Sequence, residues 1–223
     1  TYPYFFALDN TTGDIKLTVD IGIGYYSTPI VGDDGTIYVS AYPRSGSPGH
    51  PLWRYYAIKP SGELLWTYQS HAAAIGRNSV ALSNDDKAVY LIDQNRLVSI
   101  DARTGLEVWR YNLGSYVNIY ACTPIVGADG IIYFGTGNGD SSIENSVFAI
   151  DSNGKLLWKY KIGRPFFNTF AIGPDRTLYA GSDKLYALVE IKPANHLPIA
   201  NAGSDQILSC AGSNGAAITL DGS

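Results

Sequence analysis

Along most of the chain, short apolar runs alternate with clusters of Asp, Gly, Asn and Pro. Runs of this length, bounded by turn residues, predict β-strands, and no stretch shows the 3.6-residue periodicity of an amphipathic helix. Four segments share one template: Ala7–Leu17, Ala57–Trp66, Ser99–Trp109 and Ala149–Trp158. Each reads as a strand, a polar turn ending in Gly, and a second strand. The last position is Leu17, Trp66, Trp109 and Trp158, at intervals of 49, 43 and 49 residues. A second template precedes three of these segments and recurs after the fourth. Ser27–Val39 and Cys122–Phe134 match almost residue for residue, and Asn78–Tyr90 and Thr169–Tyr179 are weaker copies. Each of these is an apolar run, an Asp/Gly turn and a run carrying Tyr38, Tyr90, Tyr133 or Tyr179.

One repeat is thus four short strands, the pattern of a β-propeller blade. The expected fold is all-β, built of four-stranded antiparallel blades. The chain holds a half-blade at 4–21, whole blades at 27–70, 77–114 and 120–163, and a partial one at 168–192. Two counts fit: the ends complete one blade between them, giving four, or the ring is larger. A lone blade cannot cover both its faces, so blades must stack, and the repeated Trp is expected to fill the layer between them.

The combination Ala-Ile-Asp-x-x-Gly-x-x-x-Trp with an upstream Pro-Ile-Val-Gly-x-Asp-Gly-x-Ile-Tyr resembles the quinoprotein-like propeller repeat over residues 4 to about 192. That family includes pyrroloquinoline-quinone dehydrogenases and non-enzymatic relatives, so the resemblance implies a fold and leaves activity open. Enzymes of the family often carry adjacent cysteines, a catalytic Asp and a Glu/Asn calcium site in an eight-bladed ring. No motif of this chain matches those residues, and no catalytic residue is assigned. After Pro193 the repeat stops. Pro198, Asn201, Ala202, Gly203, Asp205, Gln206 and the ending Leu220–Ser223 resemble the opening of a PKD domain, an immunoglobulin-like sandwich. The expected division is a propeller at 1–194, then a linker and the first strands of an incomplete sandwich at 195–223. That resemblance implies an extracellular or cell-surface setting.

Composition narrows the partners. A formal charge of −4, without a basic run, excludes the electrostatic footprint of nucleic-acid binding. No stretch approaches the length of a membrane-spanning helix, and no signal peptide is visible. Chemistry outside the repeat is sparse. Cys122 and Cys210 fall in different expected domains, and His50, His71 and His196 lack metal-ligand spacing. The tight turns should share one face, leaving the opposite face to the longer connections, where sites concentrate. Its candidate ligand or partner residues are Tyr25, Tyr26, His71, Tyr116, Tyr120, Phe166 and Phe167, suited to stacking on a sugar or meeting a protein. Asn138, Asp140 and Glu144 cluster oxygens as a calcium site would; no other cofactor is expected.

Three functions follow. The first is a non-enzymatic extracellular scaffold whose loops bind a protein or polysaccharide. The second is a self-associating surface-layer or filament subunit with donated terminal strands. The third is a fragment of a quinone-dependent dehydrogenase.

Overall fold

The computed structural model describes residues 4–22, 27–41, 53–71, 79–114, 123–136, 145–163, 170–182 and 184–189, together with the backbone of 216–219. Every regular element among them is a strand, and none of the described segments is a helix able to cross a membrane. Sheet I pairs β1 (Tyr4–Leu8) with β2 (Ile15–Asp20). Sheet II runs in order β3 (Ile30–Val31), β4 (Ile37–Ala41), β5 (Arg54–Ile58), β6 (Leu64–Gln69). Sheet III holds β7 (Ala81–Leu82), β8 (Ala88–Asp93), β9 (Arg96–Asp101) and β10 (Glu107–Asn112) in the same order. Sheet IV repeats it with β11 (Ile125–Val126), β12 (Ile132–Gly135), β13 (Asn145–Ile150) and β14 (Leu156–Ile162). Sheet V holds β15 (Phe170–Ile172), β16 (Leu178–Gly181), β17 (Leu185–Val189) and β18 (Ala216–Thr219). All pairings are antiparallel, so the predicted four-stranded blades are present.

The turns explain why the strands start where they do. In the first hairpin of sheets II to V, Asp34, Asp85, Asp129 and Asp175 accept a hydrogen bond at Oδ1 from the backbone N–H two residues on, at 2.8, 3.2, 3.2 and 3.1 Å. The residue after that Asp has positive φ each time: Gly35, Asp86, Gly130 and Arg176. Glycine adopts that conformation freely, whereas Asp86 and Arg176 hold it under strain.

Middle strands of sheets II to IV are apolar on both faces because each of these sheets lies between two others. On β5, Tyr56 and Ile58 join Val19, Ile21, Ile37 and Val39 in the layer against sheet I. Tyr55 and Ala57 join Trp66, Val89, Leu91, Val98 and Ile100 in the layer against sheet III. Sheets III, IV and V share a third cluster centred on Ile132, Phe134, Val147 and Ile150.

The recurring Trp sits as the sequence predicts, in the inter-sheet layer. Tyr38, Ala57 and Trp66 lie side by side across three strands, and the small central residue lets the two rings meet at 5.9 Å. Tyr90–Ser99–Trp109 and Tyr133–Ala149–Trp158 repeat the trio at 5.8 and 5.9 Å. Trp66 Nε1 donates to the Ala102 carbonyl of sheet III at 2.7 Å, and Trp109 Nε1 to the Ser152 carbonyl of sheet IV at 2.9 Å. Indole packing and an indole–carbonyl hydrogen bond, buried at Trp66 and exposed at Trp109, therefore hold successive sheets together.

In the tail, β18 hydrogen-bonds along β17, with Ile218 opposite Ala187, at the fourth-strand position of sheet V. Among the described residues sheet I holds two strands.

Candidate functional site

Alternating strand directions sort the connections by face. The first-to-second and third-to-fourth connections of sheets II to IV are tight turns on one face. The strand ends that lead into the second-to-third connections and the links between sheets lie on the other. Sheet III is exceptional there: its second-to-third connection is reduced to Gln94 and Asn95, with Gln94 at φ 55°.

At this short turn the loop face carries a polar cluster. Asp93, the last residue of β8, is fully buried, yet its carboxylate accepts four hydrogen bonds from the end of β6 and the residues just beyond it. Ser70 Oγ and the His71 backbone N–H donate to Oδ1 at 2.6 and 2.9 Å. The Tyr68 hydroxyl reaches Oδ2 at 3.1 Å, and His71 Nδ1 lies 2.7 Å from the same oxygen. Gln94 Nε2 donates to the His71 carbonyl at 2.6 Å, fixing the backbone as well. Next to it, the Tyr55 hydroxyl donates to the Ile92 carbonyl at 2.8 Å, with the Tyr55 and Tyr68 rings 6.3 Å apart. Burial first, then the Asp93 charge, pushes the Tyr68 phenol above its ordinary range. That hydroxyl is therefore a hydrogen-bond donor at any physiological pH.

Chemically, the carboxylate can only accept, so Nδ1 carries the proton shared with Asp93. The His71 side chain is 58% exposed. His71 is thus a loop histidine held in one orientation by the Asp93 carboxylate. One imidazole is not a metal site: among the described residues no three His, Cys, Asp or Glu side chains converge.

His71 is the one predicted loop residue that falls in the described structure. Tyr25, Tyr26, Tyr116, Tyr120, Phe166 and Phe167, the calcium candidates Asn138, Asp140 and Glu144, and Cys122 and Cys210 lie outside the described residues. Sequence reasoning missed Asp93, Tyr68, Ser70 and Gln94. Their signal was present: a charged residue closing the apolar run Val89–Ile92 needs partners once buried. Asn145, which opens β13 on the same face, has a buried Oδ1 with no hydrogen-bond partner among the described residues. On the turn face, a cleft of about 320 Å3 lies between sheets III and IV, lined by Asn84, Asp85, Lys87, Tyr90, Gly130 and Ser152 among others. Asn84 Nδ2 crosses the same junction to the Gly127 carbonyl at 2.8 Å, which makes this region a seam between blades.

Comparison with known proteins places these features in context. A PQQ-type family model, described as the outer membrane protein assembly factor BamB, matches residues 1–190. The chain is 30% identical over 165 residues to the quinohemoprotein alcohol dehydrogenase ADH IIB of Pseudomonas putida, covering 70% of this chain and 21% of that protein. It is 33% identical over 92 residues to the quinoprotein ethanol dehydrogenase of Pseudomonas aeruginosa, covering 39% of this chain and 14% of that one. The chain therefore spans about a fifth or less of these curated relatives. Among solved structures, a europium-containing methanol dehydrogenase aligns at 20% identity and TM-score 0.49, over 68% of this chain and 26% of that one. A gluconolactonase from Xanthomonas campestris aligns at 20% identity and TM-score 0.48, over 79% and 62%. The curated relatives are dehydrogenases, which favours the third of the functions expected from sequence over the first.

Proposed function

Because this chain belongs to the PQQ-like repeat family, we propose that it forms part of the blade stack of a quinoprotein-type dehydrogenase acting on an alcohol. The observation that carries this reading is the identity to an alcohol dehydrogenase sustained over 165 residues, across several blades and their connections. The described residues do not themselves fit the redox group. Calcium takes six to eight oxygen ligands, and Asn145 Oδ1 is a single unpartnered one. Within the proposal the described blades are the wall that carries the loops, and the cofactor shell lies outside them. The wall has its own requirement, namely that adjacent blades keep their registration, and the Asp93 cluster and the Trp–carbonyl bonds meet it.

The test is titration of the purified chain with pyrroloquinoline quinone and calcium, followed by tryptophan quenching and by alcohol-dependent dye reduction. Saturable, calcium-dependent quenching supports the proposal, and its loss in Asp140→Asn and Glu144→Gln would place the ion at the predicted loop. No quenching at any calcium concentration would overturn it.

A second reading is a protein-binding propeller, favoured by the description of the matching family as an assembly factor. Here the loop face, with the His71 ring fixed by Asp93, meets a partner. The PKD-like pattern of 195–223 supports placing such a protein outside the cell or at its surface. This reading requires a defined partner whose affinity falls in His71→Ala while the fold, checked by circular dichroism, is unchanged.

A further inference from the structure

The first hairpins of sheets III, IV and V carry Asp86, Gly130 and Arg176 at one position, directly after the aspartate that caps the turn. At two of the three the side chain crosses to the preceding sheet. Asp86 Oδ2 accepts a hydrogen bond from the Asp33 backbone N–H of sheet II, and a Cβ on Gly32 would lie 3.2 Å from the same oxygen. Arg176 Nη1 lies 3.7 Å from Asp129 Oδ2 of sheet IV. Gly130 has no side chain to send towards sheet III, and nothing lies within 4 Å of the point where its Cβ would stand. The cleft of about 320 Å3 between sheets III and IV is lined at this position.

The cleft wall presents both a donor and an acceptor. Tyr90 is 3% exposed and lines the cleft, with its ring 5.8 Å from that of Trp109. Its counterpart Tyr38 donates to the Ala102 carbonyl at 3.4 Å, whereas the Tyr90 hydroxyl has no partner among the described residues. Burial first, then the Asp85 charge, raises the Tyr90 phenol above its ordinary range, so the group stays a donor. A buried hydroxyl without an acceptor costs free energy that a ligand oxygen would recover. Asp85 supplies the acceptor. Ser83 Oγ and the Lys87 N–H hold its Oδ1 at 2.8 and 3.2 Å, and Lys87 Nζ lies 2.9 Å from Oδ2. A carboxylate has about four acceptor positions, so capacity remains for a ligand hydroxyl. Ala88 and Val126 complete the wall with apolar surface.

We infer that this cleft binds a neutral polyhydroxylated ring, the chemistry shared by a monosaccharide, the end of an oligosaccharide and an inositol. Each hydroxyl of such a ring both donates and accepts, which suits Tyr90 and Asp85 together, and its C–H face suits Ala88 and Val126. An apolar ligand would leave the Tyr90 hydroxyl unpaired. An anion would meet the Asp85 charge, and Lys87 is already paired with that carboxylate. The volume falls at the small end of ligand pockets, which start near roughly 300 Å3, and matches one ring better than a chain of them. The site lies on the turn face, opposite the Asp93 cluster, and stands whether or not the chain takes part in alcohol oxidation.

The experiment titrates the purified chain with glucose, galactose, mannose and myo-inositol, and follows the backbone amide resonances of Asn84–Tyr90, Val126 and Gly130. The expected result is a saturable shift of these amides with at least one of the four, while the His71 amide stays unmoved. Tyr90→Phe should weaken that binding about five- to tenfold without lowering the unfolding midpoint, because the hydroxyl it removes bonds to nothing in the chain. Gly130→Asp restores the crossing side chain of Asp86 and should abolish binding. Maltotriose competing at lower concentration than glucose would identify the end of a polymer as the ligand, and weaker competition a free ring. No shift with any of the four, binding unchanged in Tyr90→Phe, or inorganic phosphate shifting these amides where the neutral rings do not would each overturn the inference.

Discussion

Sheet I and sheet III are written in one template and experience different surroundings. In sheet III, Ile100 is sealed beneath sheet II; in sheet I, its counterpart Leu8 faces solvent. The polar turns show the same contrast. Asp101 and Asp9 both gather the backbone N–H groups of their turns. Only the turn behind Asp101 also receives an indole. The comparison teaches that the repeat specifies a surface able to bury itself, while burial depends on the next blade being in place.

The largest expected effect follows directly. Ile100→Ala should cost about 2–5 kcal/mol, as for other fully buried aliphatic truncations, while Leu8→Ala should cost well under about 1 kcal/mol. Urea unfolding of the two variants reads the difference. Similar costs would mean that sheet I is covered in solution.

Asp93 provides the second test. Asp93→Ala leaves Ser70, Tyr68 and two His71 donors without their acceptor and should cost roughly 2–3 kcal/mol. It should also free the His71 ring, seen as averaged imidazole chemical shifts. A smaller effect follows from the tryptophans. Trp66→Phe removes a buried hydrogen bond to sheet III and should cost about 1 kcal/mol more than Trp158→Phe. The Trp158 Nε1 is buried with no partner among the described residues, so its loss forfeits nothing of that kind.

The smallest effect is electrostatic. The Lys16 ammonium, then the N–H groups of Thr12 and Thr11, hold Asp9 at about 2, below its ordinary 3.8. Lys87, Ser83 and the Lys87 N–H do the same for Asp85, also to about 2. A lowered folded-state pKa gives stability that is complete above the unfolded value and is lost as protons bind the folded form. The stability-against-pH profile should therefore be flat above about pH 4 and fall towards pH 2. Asp9→Asn and Asp85→Asn together should flatten that fall.

Much of this fold was legible in the residues. The Asp-Gly pairs at 34–35 and 129–130 marked first hairpins, and the spaced Trp marked fourth strands, because both devices act over a few neighbouring residues. Asp86 and Arg176 were harder: they adopt the same left-handed turn without glycine, since the aspartate cap before them imposes it. The place of Ala216–Thr219 beside β17 was not legible, because the segment carries no Trp of the repeat. The Asp93 cluster was illegible for a different reason. His71 and Asp93 stand 22 residues apart on different blades, and only the stacking of two sheets brings them together.

One consequence concerns mechanics. Backbone hydrogen bonds between strands stay inside each sheet, and the junctions rest mainly on interleaved side chains with a few bonds from rings, hydroxyls and amides. Such a chain behaves as a row of coupled springs, each linked only to its neighbours. Pulled from its ends, it should yield in discrete steps of one blade.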